Sequence, residues 1–272
     1  MSQAATSSPT DLPQTVETLA RQLSLCGLSA GQTVLVHSSM SKIGWIAGGA
    51  QAVIQALLRV LGDDGTLMMP THTTQNTDPA NWSNPPVPDT WVPIIRANTP
   101  VFDPPTTPTR GMGAIPELFR TWPGTLRSAH PIGSFAACGP NATLLTRNHQ
   151  LLDMFGDSSP LAMLYELDGY VLLLGVDHGN NTSLHLAENR AVWAGKFFIP
   201  EATAMMVQGV REWVSFKMLA LETDDFNSLG DAYEAQAGIK RGQVGEATVR
   251  FMKQRPLVDF AVEWMEANRK SI

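Results

Sequence analysis

The sequence predicts an α/β fold, a mixed central sheet with flanking helices and an added β-hairpin and helical region towards the C-terminus. Three observations predict it. Residues 33–36 (Thr-Val-Leu-Val) and 66–69 (Thr-Leu-Met-Met) are short apolar runs. Between them lies a helical stripe of Val53, Ile54, Leu57, Leu58 and Leu61, so the three together read as a βαβ unit with parallel strands. The run Tyr170-Val171-Leu172-Leu173-Leu174-Gly175-Val176, bounded by Gly169 and by Asp177-His178-Gly179, reads as a further buried strand. Residues 203–207 and 210–216 flank Gln208-Gly209, the signature of a hairpin turn.

The remaining elements follow in order. Residues 1–11 are rich in Ser, Thr, Ala and Pro and lack the apolar core of a signal peptide, so they read as a flexible tail before a single domain over 12–272. A first helix is expected over 12–25, from Val16, Leu19 and Leu23 at helical spacing, with Gly27 as its stop. The strand at 33–36 runs into a small-residue loop, His37-Ser38-Ser39-Met40-Ser41-Lys42, and a helix begins near Ala50. Residues 71–110 are different, rich in Thr, Asn, Asp and Pro with little periodicity; so long an irregular stretch inside a compact domain is usually functional. A short helix near Pro116, a strand over 134–138, a helix over 160–167 and a closing helix over 257–267 complete the reading.

The bulk composition excludes several classes. Apolar residues make up 43% and charged residues 16%, which suits a globular enzyme rather than a disordered chain. The net charge of −6, without a basic patch, argues against nucleic acid and suits a cationic small molecule. No apolar stretch approaches the length of a membrane span. Cys26 and Cys138 stand in no ligand-like or disulfide spacing, which fits a reducing, cytoplasmic setting. No His-x-x-x-His pair is present, so no metal is expected despite Asp177, His178 and His185 lying close in sequence.

Chemistry concentrates in two places. Asn181 or Thr182 can cap a helix just after the 170–176 strand, and His185 and Glu188, three apart, then share one face of it. A histidine beside a carboxylate beyond a buried strand is placed to take a proton from a substrate, although a histidine packed between helix and strand fits the same residues. The loop from His37 to Lys42 offers backbone N–H groups ahead of a helix and suits an anion such as a pyrophosphate. An ordinary βα loop fits it as well. Gly111-Met112-Gly113 reads as a turn, and Glu222-Thr223-Asp224-Asp225 as either a solvated surface or a site for a polyamine.

Taken as an ordered set, several segments resemble the aminoglycoside 3-N-acetyltransferase family, whose fold is distinct from that of the commoner GNAT acetyltransferases. They are Val34-Leu35-Val36-His37-Ser38-Ser39-Met40-Ser41 with Gly48-Gly49, Gly65-Thr66-Leu67-Met68-Met69-Pro70-Thr71, and Arg127-Ser128-Ala129-His130-Pro131 through Ser134-Phe135-Ala136-Ala137-Cys138-Gly139. Ser159-Pro160-Leu161 and Leu172-Leu173-Leu174-Gly175 followed by Asn181-Thr182-Ser183-Leu184-His185-Leu186-Ala187-Glu188 complete the set. The resemblance implies acetyl-CoA as donor, an aminoglycoside antibiotic as acceptor, resistance as the outcome, and a monomer or homodimer. It implies that His37, Ser38, Ser39, Met40, Ser41, Lys42, Arg127, Ser128 and Phe135 bind coenzyme A. It further implies His185 as catalytic base and Asp78, Glu222 and Asp224 as contacts for the cationic antibiotic; the carboxylate that stabilises the imidazolium is then Glu188 or one of Asp78 and Glu222, with 71–110 expected as an active-site segment and 200–245 as a substrate-side region. An acetyltransferase for another small-molecule amine, and an inactive ligand-binding relative, remain open as alternatives.

Overall fold

The computed structural model describes residues 12–269; the tail expected over 1–11 lies outside them. The chain passes through α1 (Val16–Leu25), β1 (Thr33–Ser38), α2 (Met40–Ile43), α3 (Gly49–Leu61), β2 (Thr66–Pro70), α4 (Val92–Asn98) and α5 (Ala114–Phe119). It continues through β3 (Leu126–Arg127), β4 (Phe135–Cys138), α6 (Ala142–Thr146), α7 (Pro160–Glu166), β5 (Tyr170–Leu174) and α8 (Ser183–Arg190). It ends with β6 (Phe198–Val207), β7 (Val210–Leu219), α9 (Phe226–Ala237), β8 (Lys240–Val244), β9 (Ala247–Lys253) and α10 (Gln254–Asn268).

Seven strands form the central sheet in the order β3-β4-β2-β1-β5-β9-β8. β1 is parallel to β2 and β5, and the outer pairings are antiparallel, so the sheet is mixed. Alternation along the strands sorts the core into two layers. Val34, Val36, Leu67, Met69, Leu172 and Leu174 pack with Leu19, Leu23, Val53, Leu57, Leu61 and Phe119 on α1, α3 and α5. Leu35, Met68, Val171 and Leu173 pack on the other side with Leu161, Leu184, Leu257, Val258 and Ala261 on α7, α8 and α10. Each such fully buried side chain contributes about 1.5–3 kcal/mol, so the centre of the sheet is a rigid base for whatever its strand ends carry. Among the described residues no helix is long and apolar enough to cross a membrane.

Several boundaries differ from the sequence expectation for local reasons. α1 starts at Val16 rather than near residue 12, because Thr15 and Thr18 form a reciprocal cap: Thr15 Oγ1 accepts the Thr18 N–H at 3.2 Å and Thr18 Oγ1 accepts the Thr15 N–H at 2.8 Å. The β6–β7 hairpin turns at Gln208 and Gly209, both with positive φ (49° and 83°), as a tight hairpin demands. Its strands reach beyond the apolar alternation because they form a separate two-stranded sheet. The largest departure is at the C-terminus. β9 joins the central sheet antiparallel to β5, with Phe251 opposite Leu172, and β8 follows as the edge.

The irregular segment contains three single-turn 3₁₀ helices, Thr74–Asn76, Pro79–Asn81 and Asp89–Trp91, ahead of α4. The hairpin is tied to it. Arg211 donates to the carbonyls of Arg96 (2.6 Å) and Thr99 (2.8 Å), and the Asp78 N–H donates to Glu201 Oε1 at 2.6 Å.

Candidate active site

The C-terminal ends of β1 and β5 open into a cleft of about 790 Å³. One wall is the 38–42 turn, expected from the sequence as a loop but formed by the end of β1, Ser39 and the start of α2; it is fastened to the sheet where the Ser39 N–H donates to the Leu174 carbonyl at 2.9 Å. Gly175, with φ of 71°, follows β5 beneath this turn. A Cβ there would come within 2.8 Å of Lys42 Cβ, so glycine is what lets the turn sit down on the strand end. The opposite wall is Gly111 to Pro116, and the floor is completed by Val176, Asp177, Glu246, Thr248 and Arg250. Lys42 and Arg250 bring positive charge to the cleft, and Asp177 and Glu246 bring negative charge.

A narrower throat of about 120 Å³ shares Ser38, Gly111, Met112, Pro116, Val176 and Asn180 with the cleft and adds His37, Pro70, His72 and Thr182. Two buried polar atoms in its walls, Ser38 Oγ and His72 Nε2, have no hydrogen-bond partner among the described residues. Such atoms cost free energy unless something else satisfies them. Burial, reinforced by the nearby imidazole of His185, pushes His37 down to about 3. His72 is likewise pushed down to about 3 by burial and then by the neighbouring histidines and Arg127. Both rings are therefore neutral near pH 7 and act there as hydrogen-bonding groups rather than cations.

His185 and Glu188 sit on α8 and are not among the residues lining the cleft or the throat; Phe155 links His185 to His72 of the throat. Both α8 residues are buried, Glu188 completely. His185 Nδ1 lies 2.7 Å from Glu188 Oε2, a geometry set by the three-residue spacing on one helix face. An ionised carboxylate only accepts hydrogen bonds, so Nδ1 carries a proton, and whenever the ring is neutral its lone pair is at Nε2. The other oxygen, Glu188 Oε1, accepts the Glu222 N–H and an Arg269 N–H, each at 2.8 Å. The imidazole is stacked on Phe155 (centroids 5.1 Å apart, planes at 12°), and Phe155 in turn lies 5.2 Å from His72 of the throat. A ring held by one charged hydrogen bond and one aromatic face can accept a proton without moving.

The remaining sequence candidates divide. Ser38, Ser39, Met40, Ser41 and Lys42 line the cleft, and His37 lines the throat, where it meets Thr182 Oγ1 at 3.3 Å. Arg127, Ser128 and Phe135, read from the resemblance as coenzyme contacts, lie elsewhere. Ser128 and Phe135 are fully buried; Ser128 Oγ accepts the Phe135 N–H and pairs with His149 Nδ1 at 2.9 Å. Arg127 is spent on the carbonyls of Thr71 (2.7 Å), Pro104 (3.0 Å) and Thr107 (2.5 Å), clamping both ends of the irregular segment. Asp78 gives both oxygens to Arg96 (3.0 and 2.8 Å), whereas Glu222 and Asp224 are exposed with no cation on either among the described residues. The sequence reading passed over Arg250, Glu246, Phe155 and Arg269. The period-2 run Ala247-Thr248-Val249-Arg250-Phe251 after Gly245 was the available signal for Arg250. Phe155 and Arg269 had none, because only packing brings them to the site. Among the described residues no group of three or more His, Cys, Asp or Glu side chains is arranged to hold a metal ion.

A family model described as aminoglycoside 3-N-acetyltransferase matches residues 35–266. The chain belongs to the aminoglycoside 3-N-acetyltransferase family. It is 43% identical over 260 residues to the SPbeta prophage-derived aminoglycoside N(3')-acetyltransferase-like protein YokD of Bacillus subtilis (strain 168), covering 95% of each chain. The crystal structure of YokD superposes with a TM-score of 0.93, covering 97% of each chain. Aminoglycoside N(3)-acetyltransferase VII of Streptomyces paromomycinus is 38% identical, over 94% of this chain and 93% of its own. A solved family member described as AAC-IIIb binary with CoASH is 29% identical, with a TM-score of 0.85 over 96% of this chain and 99% of that one. In this acetyltransferase family member the segments quoted above supply β1, β2, β4 and β5 of one sheet and the starts of α7 and α8, with the cleft at the ends of the parallel strands β1 and β5.

Proposed function

We propose that the protein transfers the acetyl group of acetyl-CoA to the 3-amino group of aminoglycoside antibiotics in the cytoplasm, and so confers resistance to them. Residues 12–272 act as one acetyltransferase domain, as a monomer or homodimer, with 71–110 as its active-site segment and 200–245 as its substrate-side wall. The observation that carries the reading is the His185–Glu188 pair, which leaves a neutral imidazole nitrogen free to take a proton. The CoASH-bound relative supports the donor, and the name of the Streptomyces relative supports the acceptor.

In this reading acetyl-CoA occupies the cleft, with its pyrophosphate at the 38–42 turn and near Lys42 and Arg250, and its thioester at the throat. The aminoglycoside amine is protonated near neutral pH and must lose a proton to attack. His185 Nε2 takes that proton as the nitrogen bonds to the thioester carbon, and Glu188 stabilises the imidazolium. Ser38 Oγ and His72 Nε2 are the donors we assign to the carbonyl oxygen as its charge develops. The C–S bond then breaks, the imidazolium protonates the departing thiolate, and the remaining excess proton on the nitrogen passes to solvent, leaving the neutral amide. No acyl-enzyme forms. Glu222 and Asp224 draw the polycation to the entrance, while Asp78 takes part only by exchanging Arg96 for the ligand.

Thiol release from acetyl-CoA, measured with a panel of aminoglycosides and other amines and paired with mass detection of the acetylated product, tests the activity. His185→Ala is expected to lower kcat by about 10²–10⁴-fold while coenzyme A binds as before. If no amine in the panel is acetylated, the function is wrong; if coenzyme A affinity falls as far as kcat, His185 is structural.

A further inference from the structure

The last residue of the final helix's cap reaches the catalytic pair from a part of the chain far away in sequence. Arg269 follows α10, and its guanidinium is nearly enclosed, with only 6% of the side chain exposed. Nη1 donates to Glu188 Oε1 at 2.8 Å. Nε and Nη2 each donate to Asp225 at 2.7 Å, and Nη2 also donates to the Glu222 carbonyl at 3.0 Å. The guanidinium carbon stands 4.9 Å from the Trp193 ring and 5.9 Å from the Phe226 ring, and Phe226 itself packs 4.9 Å from His185. One side chain therefore holds the buried carboxylate, the loop that bears Glu222 and Asp224, and the aromatic wall of the imidazole.

A carboxylate with two free oxygens can rotate and present either of them to its histidine. Here Oε1 is occupied by Arg269 and by the Glu222 N–H, so only Oε2 is left for His185 Nδ1. The guanidinium also supplies the positive charge that a completely buried carboxylate needs in order to remain ionised. Every side-chain donor of Arg269 that the structure employs goes to Glu188 or to the 222–225 loop; only its backbone N–H is spent on α10, at the Met265 carbonyl.

We infer that Arg269 is a positioning residue for acetyl transfer: it fixes Glu188 so that His185 keeps its Nδ1–H tautomer and aims Nε2 at the acceptor amine, and it couples this alignment to the loop facing the antibiotic. The inference rests on the reading of His185 as the base. It makes the C-terminal cap of α10 part of the active site, although no atom of Arg269 touches substrate.

The test compares Arg269→Ala, Arg269→Lys and His185→Ala in full-length protein, with Tm recorded for each and kcat expressed per folded enzyme. Arg269→Ala is expected to lose about 10–100-fold in kcat, the usual cost of removing a partner that orients a reacting histidine, with KM for acetyl-CoA within about 2-fold of the parent. Guanidinium ion at millimolar concentration should restore part of that kcat, and Arg269→Lys should retain more than Arg269→Ala. Adding Arg269→Ala to His185→Ala should cost little further. Full turnover in Arg269→Ala beside a crippled His185→Ala overturns the inference and leaves the base assignment standing. So does a loss that neither guanidinium nor lysine relieves, which would assign Arg269 to folding alone. Full turnover in His185→Ala removes the base itself, and the inference with it.

Discussion

Ser38 and His185 illustrate how single residues gain a role from what surrounds them. Ser38 ends β1, and its hydroxyl is buried at the meeting of cleft and throat without a hydrogen-bond partner among the described residues. A substrate carbonyl that accepts from it removes that cost, and most strongly when the oxygen bears charge. Ser38→Ala is therefore expected to reduce kcat by about 10–100-fold with little change in KM for acetyl-CoA. Steady-state kinetics decide it: a raised KM at constant kcat would assign the hydroxyl to ground-state binding instead. His185 was legible in the sequence because its spacing from Glu188 is a local helix property. Its tautomer was not, since that follows from bonds made to Glu188 by residues 222 and 269.

At the scale of elements, the irregular 71–110 segment is clamped near both ends by one arginine. Arg127 on the short strand β3 donates to carbonyls at residues 71, 104 and 107, so the segment closes onto the sheet edge like a strap. The resemblance assigned this arginine to coenzyme A, and the geometry gives it a different task. Arg127→Ala is expected to cost about 2 kcal/mol of stability, because the buried Thr71 carbonyl and the half-buried carbonyls of Pro104 and Thr107 lose a charged donor together. Limited proteolysis should then cut within 99–111 faster than in the parent. An unchanged cleavage rate with a raised acetyl-CoA KM would return Arg127 to the coenzyme site. The β8–β9 hairpin went unread for a related reason. Its alternating residues are ordinary for a strand, but its membership in the central sheet depends on pairing with β5, about 80 residues earlier.

Across the whole molecule, buried neutral histidines set a limit on acid stability. Burial holds His37, His72, His130, His149 and His178 below the ordinary histidine range, His37 and His72 at about 3 and His130 at about 4. For His178 the bond to Glu234 works against burial without overcoming it. The unfolded chain titrates these rings near pH 6.5, so below that value it binds protons that the folded protein does not. The stabilisation from these folded-state pKa values is complete above about pH 6.5 and is lost as pH falls, toward 4 for His130 and 3 for His37 and His72, at about 1.4 kcal/mol per pH unit for each of these three rings. Tm should hold between pH 7 and 8 and drop steeply from pH 6.5 to 5, as scanning calorimetry would record. A Tm that stays level down to pH 5 would mean that these rings charge in place.

The amino-acid sequence by itself determined the parallel βαβ centre, the strand leading to His185, the hairpin turn and the family, because each is written in local periodicity, in turn residues with positive φ, or in short ordered segments. The tertiary structure alone decided which oxygen of Glu188 faces the imidazole, that Arg127 clamps a segment instead of lining the cleft, and that Arg250 and Arg269 stand at the two ends of the site. Those choices depend on which distant chain segments share a buried volume, and burial makes a charge or an unpaired hydroxyl consequential in a way that its neighbours in sequence do not record.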